Sequence, residues 1–349
     1  KTTARTFLEQ KLGDFGFYPI FVPEAATLLI DHRITPLGDA FSRLDFQRHV
    51  LAVSLALEAE AEKAAARVRH PKPVILTDRG IVDQLPYVGD RRAFEALLAE
   101  YDLSYGTASE RYDAVMHMRT AALGAEAFYS NENNPARYET ADEARAQDER
   151  TLEAWIGHTH LRVISNDGSL ERKMKRLLAE ICAVLGIPEP VEIERKFRVA
   201  LPIPFEMLGA YETVEIEQCY LATRVPGEEL RVRARTQHGV TSYFRTRKRA
   251  TADAATRYET EEAITPAEYA FGRSFMKSGT RPVQKRRTCF VYENQYFELD
   301  TFLEPKLPYA LLEIELAEAA QPVRVPPFLT VEKEVTGDPH YSNSALARL

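Results

Sequence analysis

Cysteine is scarce: Cys182, Cys219 and Cys289 are the only three in 349 residues, scattered and odd in number. Such a set supplies neither a disulfide framework nor a thiolate metal site, and it fits a reducing, cytoplasmic setting. Long apolar runs are missing as well. None approaches the roughly 20 residues that a membrane-spanning helix needs, and the first residues do not read as a secretory signal. Internal repeats, low-complexity stretches and heptads are absent. Positive charge is not in excess either: the net charge of −7 disfavours nonspecific binding to nucleic acid, so no nucleic-acid partner is expected.

What is present points to two domains. The length exceeds one usual domain, and a 45% hydrophobic, 28% charged composition can bury two separate cores. Split at Pro190, the first part carries 23 Lys and Arg against 29 Asp and Glu, the second 22 against 23. Both parts are rich in both signs, so position matters more than total. The clearest seam is Leu185-Gly-Ile-Pro-Glu-Pro190, where a glycine and two prolines end a helical pattern.

Before the seam, apolar strands (Phe17–Val22, Val74–Thr77, Ala114–Met118, Leu161–Ser165) alternate with helical patterns (Thr2–Leu12, Phe41–Arg69, Ala93–Tyr101, Ala141–Gly157, Leu170–Leu185). That alternation predicts an α/β domain with a parallel sheet and flanking helices. Within it, His158 and His160 have a spacing unsuited to a helical metal pair and read as surface residues, and Trp155 reads as packing. After the seam the pattern switches to short strands of period two, an antiparallel signal.

These later strands carry charge in an ordered way. Val191-Glu-Ile-Glu-Arg-Lys-Phe197 places Glu192, Glu194 and Lys196 on one face, because side chains alternate along a strand. Leu230-Arg-Val-Arg-Ala-Arg235 does the same for Arg231, Arg233 and Arg235, and Phe244-Arg-Thr-Arg-Lys-Arg249 for Arg245 and Arg247. Pairs follow at Glu259 and Glu261, Lys285 and Arg287, Glu298 and Asp300, and Glu313 and Glu315. A sheet with one packed face and one solvated face accounts for any one of these strands. The set is harder to explain that way, because acidic strands are purely acidic and basic ones almost purely basic. Clustered like charges call for a compensating ligand. A barrel with a polar lumen, filled by a polyphosphate and divalent cations, supplies one.

Glu192-Ile-Glu194-Arg-Lys196 resembles the ExExK signature that opens the CYTH superfamily of triphosphate tunnel metalloenzymes. The likeness runs on through Leu-Arg-Val-Arg (230–233), Thr246-Arg-Lys248, Glu259-Thr-Glu261, Lys285-Arg-Arg287, Phe297-Glu-Leu-Asp300, Leu312-Glu-Ile-Glu315 and Glu334-Val-Thr-Gly-Asp338. It implies an eight-stranded antiparallel tunnel over residues 191–349, of α+β class. It also implies Mg²⁺ or Mn²⁺ on Glu192, Glu194 and Glu315, with Glu313, Glu298 and Asp300 near a second ion or the attacking water. Lys196, Arg231, Arg233, Arg245, Lys248, Lys285 and Arg287 would grip the phosphates, and the relative rank of Arg245, Arg247 and Lys248 stays open. The implied chemistry is metal-dependent binding and hydrolysis of a phosphoanhydride: inorganic triphosphate, a nucleoside triphosphate or another phosphorylated small molecule.

The chain opens on Lys1-Thr2-Thr3, readable as the end of a G-x-x-x-x-G-K-[ST] phosphate loop whose glycines lie upstream, so the native protein is expected to begin before Lys1. Val74-Ile-Leu-Thr-Asp78-Arg79 is an apolar strand ending in Asp-Arg. With Glu24, Gln47, Thr120–Tyr129, Asn134-Pro-Ala-Arg137 and Arg145, residues 1–188 resemble the AAA-type P-loop domain of nicotinamide-riboside kinases and of P-loop/CYTH fusions of the TRPL-translocation-defect type. The resemblance places Lys1 on the β/γ-phosphates, Thr2 on Mg²⁺, Asp78 on the metal or attacking group, and Arg137 and Arg145 in a lid. Glu24, Gln47 and Arg79 would face a second substrate. Bound GTP or ATP is implied. Three functions follow: a tunnel phosphohydrolase coupled to a nucleotide-binding domain, a non-catalytic regulatory module, or a small-molecule kinase.

Overall fold

The computed structural model describes residues 2–36, 40–69, 71–124, 140–187, 191–223, 225–250 and 256–349; the side chains of Thr2, Val191, Glu192, Ala250, Thr256 and Arg257 lie outside that description. The chain divides into two compact units. The first holds residues 1–113, 117–155 and 164–178; the second holds 114–116, 156–163 and 179–349.

In the first unit, β1 (Phe17–Val22) and β2 (Lys72–Thr77) pair in parallel, register Phe17 to Lys72 through Val22 to Thr77. A further two-stranded sheet joins β3 (Val115–Met118) to β4 (Leu161–Ile164), of which residues 115–116 and 161–163 belong to the second unit. The expected parallel sheet is thus present in two pieces among the described residues. Helix α1 (Thr2–Asp14) precedes β1, α2 (Ala25–Asp31) follows it, and α3 (Arg43–Ala65) is the longest helix there. Ser42 starts α3 by accepting the Asp45 N–H through its hydroxyl. Ala25, Leu29, Phe46 and Val50 bury the contact between α2 and α3.

A polar knot secures the same unit. Glu58 on α3 is buried, receives the Arg111 guanidinium at 2.9 Å, and accepts the Tyr112 hydroxyl at 2.7 Å; that hydroxyl in turn accepts the Ile81 N–H at 2.7 Å. Tyr112→Phe strips a buried carboxylate oxygen and a backbone N–H of their partner together. It is expected to lower stability by about 1–3 kcal/mol, read by urea denaturation followed through Trp155 fluorescence. Trp155 is a packing residue as expected: it is buried, and its indole N–H donates to Asp83 at 2.7 Å.

The second unit is built on one antiparallel sheet. Its strands are β5 (Val191–Ala200), β6 (Tyr211–Leu221), β7 (Glu228–Gln237), β8 (Val240–Ala250), β9 (Thr256–Ala263), β10 (Val283–Tyr292), β11 (Gln295–Glu304), β12 (Tyr309–Leu316) and β13 (Val331–Glu334). The spatial order is 12-11-10-6-7-8-9-5-13, and a further pairing of β12 with β5 closes the ring. The sheet has nine strands among the described residues: the eight from β5 to β12 make the ring, and β13 is added to it. The added one, β13, takes the edge of β5 at Phe197–Val199, a stretch that β9 does not reach because it pairs only with Val191–Ile193.

Closure gives every strand an inner and an outer face. Outward apolar residues pack against covering segments: Phe197, Val199, Phe290, Phe297, Leu299, Leu312 and Ile314 belong to one such core. Helix α4 (Pro266–Arg273) covers β7, started by a Thr265–Glu268 capping box with Pro266 in its first turn. Its approach is close enough to require a glycine. A Cβ on Gly272 would stand 2.9 Å from Val232 Cγ1.

Candidate functional site

The inner face holds the charge. Cross-strand register aligns Gln218 with Arg233 and Tyr220 with Arg231, then Thr246 with Glu261 and Lys248 with Glu259. On the far side it aligns Arg287 with Asp300, Glu298 with Glu313, Glu313 with Lys196, and Glu315 with Glu194. Most of these side chains are buried, Asp300 completely and Lys285 at 2% exposure.

Two clusters result. In the first, Arg233 Nη2 donates to Glu261 at 2.7 Å, and Lys248 pairs with Glu259 at 2.7 Å, with Arg231 3.8 Å from the same carboxylate. Burial would raise the Glu261 carboxyl, but Arg233 and Arg231 hold it down at about 2. The Nε atoms of Arg231 and Arg233 are buried without a hydrogen-bond acceptor among the described residues. In the second, Arg287 donates to Asp300 from Nε at 2.7 Å and to Glu313 from Nη2 at 2.8 Å, and also reaches Glu298. Lys285 donates to Asp300, and Lys196 pairs with Glu313 at 2.9 Å and Glu194 at 3.3 Å.

Electrostatics differ within the second cluster. Burial favours the neutral form of Glu313, yet Lys196, Lys285 and Arg287 keep its carboxyl well below the usual range. Glu298 goes the other way: burial pushes its carboxyl up, and Arg287 only partly offsets this. Lys285 is pushed down to about 8, chiefly by burial and then by the neighbouring Arg287.

Several expectations are corrected here. Arg245 lies on the outer face, paired with the exposed Glu262 at 2.7 Å, while Thr246 and Lys248 point inward. The reason is alternation: only one of residues 245 and 248 can share a face with the inward pair Glu259 and Glu261. The clustered like charges also find much of their compensation in the adjacent strands, basic β8 beside acidic β9 and basic β10 beside acidic β11. His158 is buried rather than on the surface. Arg235, Gln218 and Tyr220 were not singled out as site residues; Gln218 Nε2 donates to the Tyr220 hydroxyl at 3.0 Å beside Arg231 and Arg233. Arg235 shares the alternation of Arg231 and Arg233 on β7, whereas Gln218 and Tyr220 carry no signal beyond their spacing of two on β6.

The carboxylates fit a divalent cation by chemistry and partly by place. They are hard oxygen donors, and Glu194 and Glu315 are direct cross-strand neighbours, an arrangement that repels unless a cation lies between. Among the described residues no three such side chains already stand at metal-holding distance; the Glu192 side chain is not described.

In the first unit, β1 and β2 end side by side at Val22 and Thr77, followed by Glu24 and by Asp78 with Arg79. Arg79 lies 3.5 Å from Glu24 and 3.9 Å from Asp83. Carboxyl ends of parallel strands are where such sheets bind ligands. Gln47 is buried with an unpartnered Oε1. Arg145 donates to the Ala122 carbonyl at 2.7 Å and to Asp142 at 2.6 Å. Lys1, Arg137 and the Thr2 side chain lie outside the described residues.

A family model described as an AAA domain matches residues 1–173. The chain is also 36% identical over 158 residues to the inorganic triphosphatase of Nitrosomonas europaea, a match covering 45% of this chain and 96% of that protein. Among solved structures, an inorganic triphosphatase shares 34% identity over 45% of this chain and 95% of its own, with a TM-score of 0.33. A Pyrococcus horikoshii protein shares 24% identity over 36% of this chain and 76% of its own, with a TM-score of 0.30. The 36% identity across almost the whole of the Nitrosomonas protein shows the family: the chain belongs to that of this inorganic triphosphatase. No helix among the described residues is long and apolar enough to cross a membrane.

Proposed function

We propose that residues 191–349 form a triphosphate tunnel domain that hydrolyses a phosphoanhydride with the help of Mg²⁺ or Mn²⁺, and that residues 1–188 form a P-loop domain that binds GTP or ATP. The observation that carries the first part is the pair of buried guanidinium Nε atoms, on Arg231 and Arg233, that have no hydrogen-bond acceptor among the described residues. A buried donor left unmade costs free energy, and a phosphate oxygen removes that cost. Family membership supports the same reading, since the relative is named for its action on inorganic triphosphate.

In this reading Arg231, Arg233, Lys248 and Lys196 hold the phosphate chain, and Lys285 and Arg287 join them by exchanging carboxylate partners for phosphate oxygens. Glu192, Glu194, Glu313 and Glu315 hold the cations, which when bound neutralise phosphate oxygens and lower the pKa of water. Glu298 is the residue to take the proton of the attacking water at its carboxylate, because burial has raised its basicity. Asp300, with both oxygens engaged by Lys285 and Arg287, orients those cations instead. In the first domain, Glu24, Asp78 and Arg79 at the strand ends support a nucleotide or acceptor site.

The test is phosphate release from inorganic triphosphate, ATP, GTP and thiamine triphosphate with Mg²⁺ and with Mn²⁺. Arg231→Ala is expected to lower kcat/KM by about 10–150-fold, the equivalent of a lost charge-assisted hydrogen bond of about 1.5–3 kcal/mol. Arg245→Ala, on the outer face, should stay within about twofold of the parent. Failure to hydrolyse any of the four, together with no calorimetric binding of them, would overturn the reading.

A further inference from the structure

One inner carboxylate has a partner from outside the strand ring. Arg162 lies in the segment 156–163, which belongs to the second compact unit, and its guanidinium donates through Nη2 to Glu315. Its Nε stands 3.3 Å from Glu180 Oε2, and the Arg162 side chain is only 13% exposed. Alternation along β4 explains the direction: Leu161 and Val163 are buried on one face, and Arg162 leaves from the other. Arg162, Glu180, Tyr296, Glu298 and Glu315 line one cavity.

The segment is not loosely placed on the strands. Gly157 N–H donates to the Tyr296 hydroxyl at 3.1 Å, and that hydroxyl donates to the His158 carbonyl at 3.1 Å. Gly157 has φ +95°, and a Cβ there would run into the Gln237 side chain, so a glycine permits the close approach. Arg235 reaches the Gly157 carbonyl from the lumen.

We infer that Arg162 is a built-in counter-cation of the tunnel carboxylates, competing with the divalent cation for Glu315 and so setting the metal concentration at which the site fills. This rests on the tunnel reading. Glu315 faces Glu194 directly across the β5–β12 pair, and like charges so placed need a cation between or beside them. Arg162 supplies one without metal. When a divalent cation takes Glu315, the guanidinium loses that partner and falls back on Glu180. Metal affinity is then reduced by the free energy of the pair that must be broken.

The experiment titrates Mn²⁺ alone into the full chain, read by calorimetry and by the electron paramagnetic resonance of free Mn²⁺, so that no turnover is needed. Arg162→Met should fill its site at about tenfold lower Mn²⁺, as expected for removing a close competing charge. Arg162→Lys should lie near the parent. Arg245→Met, equal in net-charge change but on the outer face, should shift filling by less than about twofold. Should Arg162→Met fail to fold, the parent gives a second readout: the Arg162 Nε–H resonance, assigned by its loss in Arg162→Lys, should move on adding Mg²⁺. Unchanged or weaker Mn²⁺ binding in Arg162→Met, or an unmoved resonance, overturns the inference. Absence of any Mn²⁺ binding that depends on Glu194 overturns the tunnel metal site itself, and the two failures are thereby distinguished.

Discussion

Asp300→Ala should cost the protein about 3–5 kcal/mol, the penalty for leaving buried cations without their counter-charge. Asp300 is fully buried, and both of its oxygens are used: Lys285 on one, Arg287 on each through Nε and Nη2. Lys285 is itself 2% exposed, so neither cation can turn to water when the carboxylate goes. Burial already pushes Lys285 towards its neutral form, and losing Asp300 removes its attractive partner while Arg287 remains. Part of the cost will therefore be met by deprotonating Lys285. Asp300→Asn keeps the shape and one acceptor and should cost less. Arg286→Ala, on the solvent side of the neighbouring strand β10 with half its side chain exposed, should stay within about 0.5 kcal/mol. Urea denaturation followed by far-UV circular dichroism measures all three. A loss below about 1 kcal/mol in Asp300→Ala would mean that the buried network is not what the geometry describes.

The strands of the second unit were legible because their charges alternate with apolar residues. In Leu230–Arg235 the period of two alone puts Arg231 and Arg233 on the face opposite Val232, and the closed sheet does so. The same signal fails in β8, where residues 245, 247, 248 and 249 are all basic and both faces carry charge. There the choice is made by the neighbouring strand, whose Glu259 and Glu261 select Lys248 and Thr246, and no local pattern holds that information. Strand β13, Val-Glu-Lys-Glu, was illegible for a related reason. It is an exposed edge with no apolar alternation, formed because β5 offers unpaired backbone groups at Phe197–Val199. The pairing of β10 with β6 was hidden too, since it depends on contacts far apart in sequence. Arg162 on Glu315 bridges 153 positions in sequence, and nothing near either residue announces it.

Glu194→Gln and Arg233→Ala should both lose activity, but in ways that metal separates. Glu194 is 29% exposed on its side chain, lies 3.3 Å from Lys196, and sits directly opposite Glu315. As an amide it keeps its shape and loses the negative charge that a hard cation requires. Activity of Glu194→Gln should vanish at low Mg²⁺ and return in part as Mg²⁺ or Mn²⁺ is raised about tenfold or more. Arg233 bonds Glu261 through Nη2, and its Nε has no acceptor among the described residues, so its contribution is expected to go to substrate. Arg233→Ala should lower kcat/KM by about 10–150-fold for a lost charge-assisted bond of about 1.5–3 kcal/mol, and extra metal should not restore it. Glu261 stays partnered in that variant, because Thr246 donates to it and Arg231 remains close, so the fold should hold. Phosphate release at a series of Mg²⁺ and Mn²⁺ concentrations, with circular dichroism on the same samples, gives both answers. Metal rescue of both variants, or of neither, would break the assignment of acidic strands to the cation and basic strands to the phosphate. Loss of structure in both would leave these residues as parts of the fold and remove them from the site.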